Sequence, residues 1–311
     1  MNALKMPSVA NCMDASSPSL NNYQIHRLLG HGGEANVYLA EHIYSHRRVA
    51  IKIPLKDSQE AQDKLSREGR ILTGLKDPHI VPAYEFDVDN GTPFLAMGYA
   101  PYGTVRQYHA LQKPLQILTI LCYLKQVAKA LQSIHNDGFI HRDIKSENLL
   151  LVQPGHIWLC DFGITVSVDT LRKGSPSVSA GTVPYMAPEQ LRGKPCKASD
   201  QYSLAIVVYE WLCGETPFQG SSVSIMNQHI SATPPLLSKM VPTLSSDVDK
   251  VIQKALAKDP RERFRNVSAF ARALETALTR SGEACPFPKY FSVARKQRLP
   301  SESLTTEAPI H

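Results

Sequence analysis

No run of apolar residues in this chain approaches the ~20 needed to cross a bilayer. The longest candidate, Leu204 to Cys213, is broken by Glu210, so no membrane span is expected. The first twenty residues also lack the basic-then-apolar order of a signal peptide. Cysteine is sparse and scattered. Cys12, Cys122, Cys160, Cys196, Cys213 and Cys285 form no C-x-x-C pair and have no histidine cluster beside them. That argues against a disulfide framework or a zinc site and for a reducing, cytoplasmic compartment. Cys122 and Cys213 fall in apolar helical patterns and read as small buried hydrophobes, while Cys160 is either a packing residue or an alkylatable one. Charge of one sign is not concentrated either. The net charge is +6, with no basic run and no interleaving of aromatic and basic residues, so nucleic acid is not an expected partner. What remains is an ordinary globular composition, 43% hydrophobic and 20% charged, in a chain long enough for one large domain or two lobes.

The pattern changes along the chain. Residues 1–21, rich in Ser, Asn and Pro, read as a disordered leader. Strand patterns dominate from Tyr23 to about Ala96, interrupted by one helical stretch between Ser58 and Leu75. From Pro114 the pattern turns helical: Ile117, Ile120, Leu121, Leu124, Val127, Leu131 and Ile134 trace one buried stripe, ended by Asn136-Asp137-Gly138. Two short strands, 149–152 and 157–160, are joined by Pro154-Gly155. Further helices are expected over 201–213, 246–257 and 267–279, with a capping box at Ser246-x-x-Asp249 and Asp200 as a cap. The Pro/Ser/Thr-rich remainder, 280–311, reads as a flexible tail.

Within this frame the chemistry concentrates in His141-Arg142-Asp143-Ile144-Lys145-Ser146-Glu147-Asn148, followed by Asp161-Phe162-Gly163. A carboxylate at Asp143 can orient an attacking hydroxyl and take its proton. Asn148 and Asp161 are hard oxygen ligands suited to Mg²⁺, and Lys145 offers positive charge to a migrating phosphoryl group. Upstream, Leu29-Gly30-His31-Gly32-Gly33-Glu34-Ala35-Asn36-Val37 reads as strand, glycine-rich turn, strand, a form that lets backbone N–H groups approach phosphates. Val49-Ala50-Ile51-Lys52 is an apolar strand ending in one lysine. In the helix that follows, Glu68 shares the inward stripe with Leu65, Leu72 and Leu75, whereas Glu60 lies outside it. A carboxylate on an apolar face needs a partner, and Lys52 is the obvious one.

These motifs, with Gly181-Thr182-Val183-Pro184-Tyr185-Met186-Ala187-Pro188-Glu189, resemble in order and spacing those of the bacterial Hanks-type serine/threonine protein kinases, from Tyr23 to about Leu278. The resemblance implies an α+β bilobal fold: a small, mainly β N-lobe over 22–97 with one key helix, and a larger, mainly α C-lobe over 98–279. It implies ATP between the lobes, met by Leu29, Gly30, Gly32, Gly33, Val37, Ala50, Lys52, Glu68, Met97, Tyr99, Leu150 and Asp161. Asn148 and Asp161 would hold Mg²⁺, with Mn²⁺ as a substitute. The implied catalytic set is Asp143, Lys145, Asn148 and Thr182, the threonine hydroxyl bonding Asp143 and Lys145. Glu189 would pair with Arg263, and Asp200 would brace the catalytic loop. Two departures stand out. Ala35 replaces the third glycine of the loop, and Gly98 stands where kinases often carry Glu, which is expected to loosen the hinge.

Protein substrates bearing Ser or Thr are the implied partners. Arg142 beside the base implies control by a phosphate on Thr170, Ser175, Ser177 or Ser179, added between two molecules in a transient homodimer. The alternatives are a nucleotide-binding pseudokinase scaffold, a small-molecule phosphotransferase sharing the kinase core, and a nucleotide-binding regulator without turnover. The first is opposed by the retention of Lys52, Asp143 and Asp161, the second by Ala187-Pro188-Glu189, and the third is separated from an enzyme only by measuring transfer.

Overall fold

The short alternating runs upstream of Gly98 become strands in the computed structural model, which describes residues 20–55, 58–109, 113–162, 166–167 and 182–280. The leader to residue 19, the tail from 281, and Thr170, Ser175, Ser177 and Ser179 lie outside the described residues. β1 (Tyr23–His31), β2 (Ala35–His42), β3 (Arg48–Pro54), β4 (Ala83–Asp89) and β5 (Thr92–Gly98) form one antiparallel sheet in the order β1-β2-β3-β5-β4. Its register sets Ala50 opposite Met97 and Lys52 opposite Leu95. Helix α1 (Gln59–Gly74) lies between β3 and β4 in the chain and is capped by Ser58, whose side chain accepts the Ala61 N–H. Its buried face is Leu65, Glu68, Gly69 and Leu72, so the apolar stripe carries its one carboxylate inward.

The remainder is mainly helical. After α2 (Val105–Tyr108) comes α3 (Ile117–Asn136), whose residues Ile120, Leu121, Leu124, Val127, Leu131 and Ile134 are all buried. The short strand β6 (Phe139–Ile140) leads to the hairpin of β7 (Leu149–Gln153) and β8 (His156–Leu159), and β6 itself pairs with β9 (Val166–Ser167). Then follow α4 (Pro188–Leu191), α5 (Lys197–Cys213), α6 (Ser222–Ser231), α7 (Leu237–Met240), α8 (Ser246–Ala255) and α9 (Val267–Arg280). Helix α5 is buried on nearly all sides, which is why its sequence is apolar without a clear stripe. Together with the sheet, these elements make the bilobal α+β fold expected from the motifs.

Two local expectations change. Asp200 lies inside α5, whose cap is Cys196; it is not at the helix end. Ser246 is the first residue of α8 rather than its cap, and Asp249 instead accepts the Ser238 N–H at 3.2 Å. Gly98 is buried, and the space a side chain would need there is filled by Trp158.

The two lobes are joined by backbone pairing as well as by the hinge. Leu159 of β8 donates to the His79 carbonyl at 2.8 Å and accepts from Val81 at 2.9 Å, while the Gly98 N–H donates to Pro82 at 2.9 Å. The strand that precedes Asp161 is thereby tied to the segment following α1. Among the described residues, no helix is long and apolar enough to cross a membrane.

Candidate active site

Lys52 leaves β3 at a point where the only way to keep an inward ammonium is to surround it with carboxylates. Its Nζ donates to Glu68 Oε1 at 2.9 Å and Oε2 at 2.7 Å, and to Asp161 Oδ1 at 3.0 Å. Burial alone would lower the Lys52 pKa, but Asp161 and Glu68 outweigh it and hold the ammonium above its ordinary value. Glu68 is pushed up by burial against the pull of Lys52. The charge of Lys52 holds Asp161 well below the usual carboxylate range. Asp161 is therefore an anion at any physiological pH, and with its side chain 43% exposed it remains open to a cation.

Across the cleft the catalytic loop is organised around Asp143. Its Oδ2 accepts from Lys145 Nζ at 2.7 Å and Asn148 Nδ2 at 2.9 Å, and its Oδ1 accepts the Thr182 hydroxyl at 2.9 Å. Lys145 Nζ also reaches Thr182 Oγ1 at 3.3 Å. Counting two acceptor sites per carboxylate oxygen, Oδ1 keeps one lone pair for a further hydroxyl. Asn148 spends its amide N–H groups on the Asp143 side chain and carbonyl, which leaves its Oδ1 as the atom able to face a cation. Asn148 and Asp161 lie at the two ends of the β7–β8 hairpin, and the Cys160 N–H donates to the Asn148 carbonyl at 3.0 Å.

Both Arg142 (φ 72°) and Asp161 (φ 64°) adopt the left-handed backbone region, a strain that surrounding structure must overcome. For Arg142 the brace is Asp200, which accepts the backbone N–H groups of His141 and Arg142 at 2.9 and 2.8 Å and the ring of His135 at 2.6 Å. Burial would raise the Asp200 pKa, but these donors bring it below its ordinary value. Gln190 fixes the other side, donating to the Arg142 carbonyl at 2.7 Å. His141, wholly buried, packs edge-on to Phe162 at 4.7 Å and bonds the Cys160 carbonyl. Burial lowers its pKa and keeps it neutral. The Cys160 thiol is pushed up by the same cause, which makes it a packing residue.

Glu189 and Arg263, 74 residues apart, form a two-pronged pair at 2.7 and 2.8 Å. Ser199 adds a third donor to Glu189 at 2.7 Å. The Arg142 guanidinium is nearly buried, its Nε has no hydrogen-bond partner among the described residues, and burial lowers its pKa. It is a cation set for an anion. Gly163, Gly181 and the four candidate hydroxyls fall outside the described residues.

The remaining residues named from the sequence gather on one side of this cleft. Ala50 and Met97, with Leu29, Val37 and Leu150 partly buried against them, belong to the apolar cluster that includes Phe162. Tyr99, just past β5, is half-buried. At Gly30 and Gly33 a Cβ would meet nothing within 4 Å, so open space lies over the loop, as a phosphate cradle requires. These residues fit a nucleotide with its divalent cation: an apolar slot, an open glycine loop, a charged lysine and two oxygen ligands. Among the described residues no group of three or more His, Cys, Asp or Glu side chains is placed to hold a metal ion.

Sequence reasoning passed over His135, Gln190, Ser199 and a carboxylate network around Glu210. Glu210 accepts from Ser146 at 2.9 Å, from Arg106 at 3.1 Å and from Tyr185 at 3.1 and 3.2 Å. The rule that singled out Glu68, an acid in an apolar helical setting, would have singled out Glu210 too.

Comparison with known proteins agrees with this geometry. The model of the protein kinase domain matches residues 23–274. The serine/threonine-protein kinase PrkC of Bacillus subtilis is 36% identical over 261 residues, covering 82% of this chain and 40% of the relative. PknD of Mycobacterium tuberculosis is 34% identical, covering 83% and 40%. PknA of Corynebacterium glutamicum is 30% identical, covering 92% and 62%. The chain thus spans less than two thirds of each of these relatives. The match over most of its own length, with the charges of the cleft assembled as described, shows that this chain belongs to the protein kinase domain family.

Proposed function

We propose that this chain transfers the γ-phosphoryl group of ATP to serine or threonine hydroxyls of proteins. The carrying observation is the Asp143 carboxylate held between Lys145 and Thr182, facing a Lys52–Glu68–Asp161 charge cluster contributed by both lobes. Leu29, Val37, Ala50, Met97, Tyr99 and Leu150 would receive the adenine, Gly30, Gly32 and Gly33 would lie over the phosphates, and Lys52 would neutralise them. Asn148 and Asp161 would hold Mg²⁺ or Mn²⁺, which when bound neutralises charge on the phosphates. Asp143 orients the acceptor hydroxyl through the free lone pair of Oδ1 and takes its proton. Lys145 offsets the negative charge that grows on the transferred group. Positioning and charge neutralisation supply most of the acceleration.

Serine and threonine are favoured as acceptors by Lys145 two residues after Asp143, by the Thr182 contact, and by the similarity to serine/threonine-protein kinases. Regulation follows from Arg142: a phosphate on Thr170, Ser175, Ser177 or Ser179, placed by a second copy of the chain, would pair with its guanidinium, whose Nε has no partner among the described residues. A pseudokinase scaffold is disfavoured because Lys52, Asp143 and Asp161 are present and mutually arranged.

The test is transfer of labelled γ-phosphate from ATP·Mg²⁺ to the chain itself and to a general protein acceptor, followed by mass mapping. Asp143→Asn is expected to slow transfer by about 10²–10⁴-fold with ATP affinity nearly unchanged, and Lys52→Met to abolish it. Phosphate should map between Asp161 and Glu189, and its appearance should accelerate with protein concentration. Nucleotide binding without transfer would leave the scaffold reading in place of this one.

A further inference from the structure

Gly98 occupies the hinge without any conformational need for glycine, since its φ lies outside the left-handed region. The reason is a close approach. A Cβ built there would lie 2.6 Å from Cζ3 and 2.8 Å from Cη2 of Trp158, and 3.0 Å from Cδ of Pro82. Carbon atoms in good contact sit about 3.5–4.0 Å apart, so no side chain fits while the indole stays where it is. The outer ring of Trp158 rests on the hinge backbone itself.

The indole is held from several directions. Trp158 sits in β8 opposite Leu150 and packs, partly buried, on the main core. His156 lies edge-on to it at 6.5 Å and itself meets His79 in a tilted contact at 5.3 Å. On the other side, Pro82 is fixed by the Gly98 N–H and by the pairing of His79 and Val81 with Leu159. The contact therefore links two short stretches with functional neighbours. Met97 and Tyr99 flank Gly98, and Asp161 lies three residues beyond Trp158.

We infer that Trp158, seated against Gly98, is a positioning residue for ATP: it sets the separation between the hinge that receives adenine and the strand end that presents Asp161 toward the phosphates. This rests on the kinase reading given above. A nucleotide held at both ends is sensitive to that separation, because a changed spacing keeps the contacts at one end only by weakening those at the other, and the loss of a preorganised site appears as affinity. Residues 98 and 158 then act as a pair, in which the bulk on β8 demands its absence on β5.

The experiment is a double-mutant cycle on the full chain with Gly98→Ala, Trp158→Leu and the combination, with Trp158→Phe as a second probe that removes the outer ring more gently. Dissociation constants for ATP·Mg²⁺ come from equilibrium titration, with KM, kcat and melting temperature beside them. Gly98→Ala alone is expected to weaken ATP binding about tenfold, or about 1.4 kcal/mol, with kcat at saturating ATP little changed. In the Trp158→Leu or Trp158→Phe background the same alanine should change affinity by no more than about twofold, the margin of additivity. The inference is overturned if Gly98→Ala binds ATP like the wild type, or if its defect is the same with Trp158 removed. It is equally overturned if affinity, kcat and melting temperature fall together, the mark of a merely structural role. A wild-type chain that binds no ATP would overturn the kinase reading and this inference with it.

Discussion

Asp200 illustrates how one buried side chain can hold the backbone of a whole loop. Its carboxylate is wholly inaccessible and accepts from the His141 and Arg142 backbone and from His135. The two backbone bonds hold Arg142 in its left-handed conformation, and that residue immediately precedes Asp143. Replacing Asp200 by Asn keeps the volume but turns one acceptor oxygen into a donor facing donors. A hydrogen bond to a charged group is worth about 1.5–3 kcal/mol, so Asp200→Asn should lower unfolding free energy by that amount in urea titration. Because the loop then relaxes, kcat should fall about 100-fold while ATP affinity, to which Asp200 makes no direct contact, stays within about threefold. Equal losses in both would mean that Asp200 acts on the whole fold rather than on the loop.

At the level of elements, α6 shows how a helix remote from the cleft secures the segment leading to Glu189. His229 in α6 is fully buried, bonded through Nε2 to the Pro184 carbonyl at 3.0 Å and through Nδ1 to Tyr202 at 2.9 Å. Burial and the nearby Lys258 push its pKa down to about 4, from an ordinary 6.5. The sign follows directly: as pH falls below 6.5 the unfolded chain takes up a proton that the folded chain refuses until pH 4, so stability declines across that window. The loss amounts to about 3 kcal/mol by pH 4. His141 is depressed in the same direction, so the informative quantity is the difference between the wild type and His229→Gln. That variant should lose less stability between pH 7 and pH 5 in urea titrations, and an unchanged pH slope would show that His229 does not titrate in this way. Elements of this kind were only partly legible in the sequence. The stripe of α3 and the inward Glu68 of α1 follow from helical spacing alone, because each element buries one face. Helix α5 buries all its faces, so periodicity neither located its first turn nor revealed that Asp200 points into the catalytic loop instead of capping the helix.

For the molecule as a whole, what unites distant parts of the chain is a set of contacts between residues far apart in sequence: Lys52 with Asp161, Glu189 with Arg263, and Gly98 with Trp158. The pairing of Glu189 with Arg263 was legible from the order of the motifs, whereas Lys52 and Asp161 were legible as charged residues of the site but not as partners of each other. The third was not, since a tryptophan and a glycine sixty positions apart signal nothing until the fold apposes them. The Lys52–Asp161 contact has a consequence for stability. A nucleotide with its cation would bind Lys52 from the sheet and Asp161 from the helical lobe at once, and anything that binds only the folded state stabilises it by mass action. At a ligand concentration of 100 times Kd the gain is about 2.7 kcal/mol, which for a domain of this size raises the melting temperature by about 5–10 °C. A non-hydrolysable ATP analogue with Mg²⁺ should produce that shift, and chelation of the metal should remove most of it. Asp161→Asn loses the anion that Lys52 holds far below the usual carboxylate range, so its remaining shift should be the same with Mg²⁺ or with chelator. A wild-type shift indifferent to the metal would argue that Asp161 serves Lys52 alone, as the third charge of a structural cluster, and that the cation is held elsewhere.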